Sequence, residues 1–407
     1  MEWKHYMNFR ILHFVSLACL TIFFFVGWKS YHYFFDTHSP ELLVLGITDN
    51  HFYADDVQCV LNAHDDYKVA DISVWLDGKL LINKFKINAT SCEHPFFIAT
   101  RTLSNGSHIL KAEVTNGTYR QEKTIKEIPF IVDNTPLQAA FIRPESEYKV
   151  FQGRTLHIQF QVNKEIKSTW INTLSHRYPA FQESKNSPIY EAYIPIECEE
   201  TPNEYLLTVE VSDYVGNTMN LETKFQIVAF QFKKQNLHVD PAKAQEEKEA
   251  GLAAAQLERD LEQLVPNSPQ QKLWQGIFYP PIDIKSISTE YGTIRTTQER
   301  GRYAHKAVDI LNTPKSVVWA TQDGIVVIKN RYGHSGNTVV IDHGFGIFSL
   351  FYHLDNFADI AVGDKIKRGN PLGTLGKTGY ASGYHLHWEM RVCNIPVDPM
   401  QWIKPNF

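Results

Sequence analysis

Near the C-terminal end two histidines stand one residue apart, His385 and His387, within Gly383-Tyr-His-Leu-His-Trp-Glu389. Residues 384–392 are rich in aromatic and β-branched side chains and read as a strand, on which residues i and i+2 share a face. Two imidazoles then sit side by side on one surface, with Leu386 and Trp388 on the other. His305 and Asp309 lie upstream, four residues apart and so on one face of either a strand or a helix. His353 stands between these clusters in Leu350-Phe-Tyr-His-Leu354. Imidazole and carboxylate donors suit zinc, and a catalytic zinc keeps three protein ligands beside an open position. His305, Asp309 and one of the pair His385/His387 complete such a set. His353 and the other member of the pair are then available to take a proton and stabilise developing charge. Spacing does not decide which of His385 and His387 is the ligand. His334 and His343 lie in glycine-flanked turns of the same segment and read as loop residues.

The elements that must carry these groups are mostly strands. Residues 270–407 are β-rich and glycine-punctuated, with strands expected at 317–320, 324–329, 338–342 and 347–353, and are long enough for an independent domain. Before them, 238–265 reads as a helical linker: Leu257, Leu261, Leu264 and Val265 fall on one face, and Pro266 ends the run. It joins the preceding modules to the last domain and is placed to restrict access to it. Residues 41–133 and 137–228 are all-β. Asp77-Gly78 marks a hairpin, Asn105-Gly106 and Asn116-Gly117 further turns. The triplets at Asn88, Asn105 and Asn116 match a glycosylation acceptor, but two of them are these turns. Short strands with regular turns predict two β-sandwiches. With Val132-Asp-Asn-Thr-Pro136 and Asp213…Gly216-Asn217 they resemble bacterial immunoglobulin-like domains, which implies spacers or docking modules with a protein partner.

Residues 11–28 are a nearly unbroken apolar run, near the lower limit for crossing a bilayer and longer than the usual signal-peptide core. Lys4 and Arg10 precede it, Lys29 follows it, and an aromatic collar runs from Trp28 to Phe35. The expectation is a transmembrane anchor at 11–28 with a cytoplasmic tail at 1–10. The rest would lie on the periplasmic side of the cell's inner membrane, single-pass; a cleaved signal peptide is the competing reading.

At 407 residues, 43% hydrophobic and 13% aromatic, the chain is folded material for about two to four domains. A net charge of −5 gives no basic footprint, which argues against a nucleic-acid partner. The five cysteines include no C-x-x-C, which excludes a thiolate zinc site; Cys59 and Cys92 are candidates for a disulfide. No Gly-x-Ser-x-Gly elbow occurs to support a serine hydrolase.

Four stretches carry a more specific resemblance: Tyr303-Ala-His-Lys-Ala-Val-Asp309, Gly336-Asn-Thr-Val-Val-Ile-Asp-His-Gly344, Phe351-Tyr-His-Leu354, and Gly376-Lys-Thr-Gly-Tyr-Ala-Ser-Gly-Tyr-His-Leu-His-Trp-Glu389. In this order they resemble the lysostaphin/LytM-type zinc metalloendopeptidases that cut peptide bridges in bacterial cell walls. The resemblance implies an antiparallel β metallopeptidase domain with its site in a groove. It implies zinc ligands at His305, Asp309 and His387, catalytic histidines at His353 and His385, and peptidoglycan peptide stems or cross-bridges as substrate. Family members usually carry glycine where this chain has Ala307, so a narrowed groove is expected with the metal retained. The alternative is a non-catalytic wall-binding scaffold or a regulator of other wall hydrolases; an intact ligand set disfavours it. A further alternative is an adaptor whose immunoglobulin-like units do the essential work.

Overall fold

The computed structural model describes residues 2–236, 254–297 and 301–405, with side chains in the N-terminal helix described from residue 15. The chain is mainly β and divides into two compact units, Met1–Pro136 and Leu137–Phe407.

In the first unit helix α1 spans Glu2–Phe35 and contains the apolar run at 11–28, of which the side chains of 11–14 lie outside the described residues. Among the described residues no helix is long and apolar enough to cross a membrane. This differs from the anchor expected at 11–28: the described apolar stretch begins at Val15 and gives way to Lys29, Ser30 and His32. Leu17, Ile22, Phe23 and Phe24 are exposed. The C-terminal end of α1 is tied down, because Tyr119 N donates to the Tyr33 carbonyl at 2.9 Å and the Tyr33 ring packs on Tyr67 and Tyr119.

The six strands that follow form one sheet, not the two of a sandwich. Its spine is a long hairpin, Val57–Leu76 and Lys79–Ile98. The turn at Asp77-Gly78 has φ of 50° and 77°, the left-handed pair that a two-residue hairpin needs. The strands bend without ending. Asp65 Oδ1 accepts from the amides of Tyr67 and Lys68, and Lys84 and Asn88 take positive φ. The bends carry the sheet around a single core that includes Leu61, Ile72, Val74, Leu110, Val114 and Phe130. The sequence pattern predicts short strands here, whereas the structure has two strands of 20 residues each. Cys59 and Cys92 are free; the register sets Cys59 against Phe96 and Cys92 against Ala63, which keeps the two thiols apart.

The second unit begins with two sheets of five and four strands. Ile171, Leu207 and Phe225 from one meet Ile158, Phe160 and Ile194 from the other. Tyr193 and Cys198 leave that core and join Trp274, Phe278, Tyr291 and Trp402 of the C-terminal domain. Glu191 pairs with Lys272 at 2.9 Å, and Gln401 exchanges hydrogen bonds with the Thr155 backbone at 2.7 and 2.9 Å. The sandwich and the last domain therefore share apolar core and polar contacts.

That last domain is built on a ten-stranded sheet in the order Ser286–Thr289, Val308–Leu311, Leu386–Val392, Ile347–Phe357, Gly336–Asp342, Gly324–Tyr332, Lys365–Ile366, with three short strands added at its margins. Strand alternation gives it two faces. Leu386, Trp388 and Met390 enter the core shared with Trp402. The opposite face presents Val340, Leu350 and Tyr352 to a second helix, α2, at 254–264. Leu257 and Leu261 of α2 are buried there, with Leu264 and Val265 packed at its edge. These are the four residues the helical spacing picks out; the start of the predicted linker, up to residue 253, lies outside the described residues. Pro266 falls in a 3₁₀ turn, Val265–Asn267, that closes the helix. A short helix α3, Pro399–Trp402, is capped by the Asp398 side chain on Met400 N.

Candidate metal centre

Three adjacent strands set the centre. Asp309 on Val308–Leu311 is the register partner of His387 on Leu386–Val392, and His387 in turn faces Tyr352 on Ile347–Phe357. Residues in one such row point to the same face of a sheet. His305 lies just after the strand Gly301–Ala304, and its amide is held by the Thr293 carbonyl at 2.9 Å. His305, Asp309 and His387 offer donor atoms that all lie within 4.8 Å of one another. Asp309 Oδ1 is the hub, 3.1 Å from His305 Nε2 and 2.9 Å from His387 Nδ1.

The donors fit a divalent cation. His305 Nε2 is buried and faces Asp309 Oδ1 at 3.1 Å without a well-directed hydrogen bond, an arrangement that is costly unless something else engages the two donors. Burial lowers the pKa of His305 against the opposing pull of Asp309, so the ring stays neutral. Burial would raise the Asp309 carboxyl, but the flanking imidazoles of His305 and His387 hold it far below its ordinary value. A neutral imidazole at His305 beside an ionised Asp309 carboxylate is in the protonation state that zinc ligation requires.

Two further imidazoles border these three. His353 lies with its ring centroid 4.8 Å from that of His385 and 5.9 Å from that of His387. Consecutive strand residues ordinarily point to opposite faces, yet Tyr352 and His353 both reach His387. A φ of 61° at His353 makes this possible. The residue leaves the strand ladder, and its amide donates to the Ser335 carbonyl at 2.8 Å. A left-handed conformation at a non-glycine residue costs about 1–2 kcal/mol, which the surrounding packing must offset. His353 Nδ1 lies 2.8 Å from the Thr378 carbonyl and His385 Nδ1 2.9 Å from the Gly383 carbonyl. A carbonyl only accepts, so each Nδ1 carries a proton, and the neutral ring of His353 keeps its lone pair on Nε2. Burial, then the neighbouring His387 and His385, push the His353 pKa down to about 3.

The Thr378 carbonyl is in place because two glycines let loops touch. At Gly336 (φ 65°) a methyl group would strike Thr378, and at Gly379 (φ 72°) it would strike the Gly336 and His334 backbone. His334, in this turn, stacks on Tyr380 at 5.8 Å.

Comparison with known proteins bears on the same stretch. Residues 303–399 match the model of Peptidase family M23. These residues form an M23 peptidase domain. The chain is 36% identical over 131 residues to the DD-carboxypeptidase/endopeptidase Mpg of Neisseria meningitidis serogroup B, covering 32% of this chain and 30% of that protein. It is 33% identical over 123 residues to the peptidoglycan DD-endopeptidase ShyA of Vibrio cholerae serotype O1, covering 30% of this chain and 28% of that one. The chain thus spans less than a third of the length of these curated relatives. Among solved structures, a putative peptidase M23 from Pseudomonas aeruginosa aligns at 22% identity with a TM-score of 0.44, over 63% of this chain and 95% of that one.

In the M23 domain all five predicted residues come together, with three differences from the sequence reading around them. His385 is not on the strand: it precedes Leu386–Val392, and its amide bonds the Gly376 carbonyl at 3.3 Å. His343 does lie in a turn but is wholly buried, bonded to the Asp323 carbonyl at 2.7 Å and to Ser349 Oγ at 2.8 Å. Ala307 is also fully buried, so its methyl fills packing space and does not narrow the groove. Sequence reasoning missed Arg295. Its Nη2 lies 3.6 Å from Asp309 Oδ2 and donates to Thr289 Oγ1 at 2.7 Å, which steadies the outer oxygen of the carboxylate. Nothing in the local pattern around Arg295 marks it; only the fold brings it near.

Proposed function

We propose that the M23 domain is a zinc-dependent endopeptidase that cuts DD peptide cross-links of peptidoglycan. The observation that carries this is the convergence of His305 Nε2, Asp309 Oδ1 and His387 Nδ1 beside two imidazoles, His353 and His385, each held through Nδ1 by a backbone carbonyl. The relatives' names as DD-endopeptidases support the choice of bond.

Zinc held by His305, Asp309 and His387 supplies Lewis acidity to the site. The remaining chemistry belongs to side chains. His353, neutral at physiological pH and fixed by Thr378, presents Nε2 to take a proton from the attacking water. His385, oriented by Gly383, stabilises the developing charge on the peptide carbonyl in its protonated form, donating from Nε2. The proton that His353 takes from water passes to the departing amine. Their assignment as base and stabiliser is interchangeable on this geometry. Arg295 and the carbonyl partners hold the set before substrate arrives, which removes reorganisation from the reaction.

The proposal places this domain outside the cytoplasm, on a chain attached to the inner membrane through α1. The exposed apolar side chains of Leu17, Ile22, Phe23 and Phe24 support a lipid neighbour for that helix. The test is to purify the full chain in detergent, load it with zinc, and incubate it with isolated wall. Mass spectrometry should find cross-linked dimers converted to monomers, with the conversion stopped by 1,10-phenanthroline. Dimers left intact by zinc-loaded protein would sink the proposal.

A further inference from the structure

The sheet face that carries His387 also carries Glu389 and Arg391, since alternate residues of Leu386–Val392 share a side. From the centre a continuous contact chain runs outward. The Tyr352 ring lies parallel to that of His387, 4.8 Å between centroids at 7°. Its hydroxyl donates to Glu389 Oε2 at 3.0 Å. The other oxygen of Glu389 accepts from Arg391 Nε at 2.6 Å. The two terminal nitrogens of Arg391 then donate to both carboxylate oxygens of Glu258 at 2.6 and 2.8 Å. Glu258 belongs to α2, which is also seated by Leu257 and Leu261 and by a 2.7 Å bond from the Tyr332 hydroxyl to Asp260.

Tyr352, Glu389 and Arg391 are all more than nine-tenths buried. Buried ion pairs cost desolvation and are often no better for stability than apolar packing. They do fix geometry. A guanidinium held by two carboxylates cannot rotate in its plane, and that pins Glu389. Glu389 pins the Tyr352 hydroxyl, and the ring above it limits the tilt of His387.

We propose that α2 is an outer support of the metal centre, positioning His387 through Glu258, Arg391, Glu389 and Tyr352, so that metal affinity depends on how α2 is docked. The inference rests on the ligand set proposed above. These four are positioning residues, and none is placed among the ligands or the proton-handling histidines. Contacts beyond the ligands of a zinc site commonly tune its affinity about 10- to 100-fold; at two or more steps removed the expected effect is smaller.

The experiment uses the full chain, stripped of metal, with zinc dissociation constants measured against a chromophoric chelator and the visible spectrum recorded with cobalt(II) in place of zinc. Glu258→Gln and Tyr352→Phe are compared with Glu262→Gln, a change on the exposed side of α2. Both support variants should bind zinc about 3- to 30-fold more weakly and shift the cobalt absorption, while Glu262→Gln matches the parent. A lowered unfolding midpoint with unchanged zinc affinity and unchanged cobalt spectrum would mean ordinary structural contacts and overturn the proposal. A parent chain that binds no zinc would overturn both this support and the centre itself. One that binds zinc but cuts no wall would refute the proposed reaction alone, and the affinity comparison would still decide the role of α2.

Discussion

Two adjacent buried groups in the M23 domain should give opposite pH dependences of stability. His343 is fully buried, and burial lowers its pKa from 6.5 to about 4. Below pH 6.5 the unfolded chain takes up a proton that the folded chain refuses. Stability from His343 is therefore complete above 6.5 and is lost as pH falls through 4. At 1.36 kcal/mol per tenfold difference in proton affinity, the loss reaches roughly 3 kcal/mol. Asp342 runs the other way. Burial raises its carboxyl to about 6, despite hydrogen bonds from Gly344 N and Ser268 Oγ, each at 2.8 Å. Its contribution is complete below 3.8 and is lost as pH rises through 6, again roughly 3 kcal/mol. In the parent protein the two nearly offset between about pH 4 and pH 7. Each single variant exposes the other group. Asp342→Asn keeps the acceptor at Oδ1 and should lose stability steeply toward acid. His343→Asn keeps a donor for the Asp323 carbonyl and should gain stability toward acid. Urea unfolding followed by tryptophan fluorescence across this pH range measures all three. Other titrating groups act on the three proteins alike, so the difference between profiles is the quantity to read. Parallel profiles would refute the assignment of either group as buried and perturbed.

Two other perturbations test the fold around the site. Gly379→Ala puts a side chain at φ 72° and against the Gly336 and His334 backbone, so it should displace the Thr378 carbonyl. Wall cleavage should fall about a hundredfold, the size of effect a misplacement near 1 Å produces, while zinc is retained; unchanged turnover would show that this loop does not set His353. Cys59 and Cys92 pair with residues four positions apart on the opposing strands, a separation of about 13 Å along the hairpin. That exceeds the reach of a disulfide, so alkylation in non-reducing denaturant should label all five cysteines, and a missing pair of labels would contradict the register.

Much of the metal centre was legible because it depends on short spacings. His305 and Asp309, His385 and His387, and the intervening His353 could be grouped by residue type, and the resemblance to zinc wall peptidases separated ligands from the other two. What spacing could not supply was the backbone at His353. A positive φ inside a strand reverses the face a side chain takes, and no residue nearby announces it. The α2 stripe was readable from Leu257, Leu261, Leu264 and Val265, because amphipathic helices mark their buried face by period. Its polar tie, Glu258 to Arg391, joins residues 133 positions apart and leaves no local trace. The single sheet of the first unit escaped for a related reason: the positive φ at Lys84 and Asn88 that bends the strand is not announced by residue type, and only pairing across the hairpin shows that the strand continues through them.

The whole account stands on which imidazoles hold the ion, and zinc content per chain measures that directly. Full-length parent protein and His385→Ala should each retain about one zinc per chain after gel filtration, and His387→Ala should lose it. Equal zinc in the two variants would contradict the centre described here.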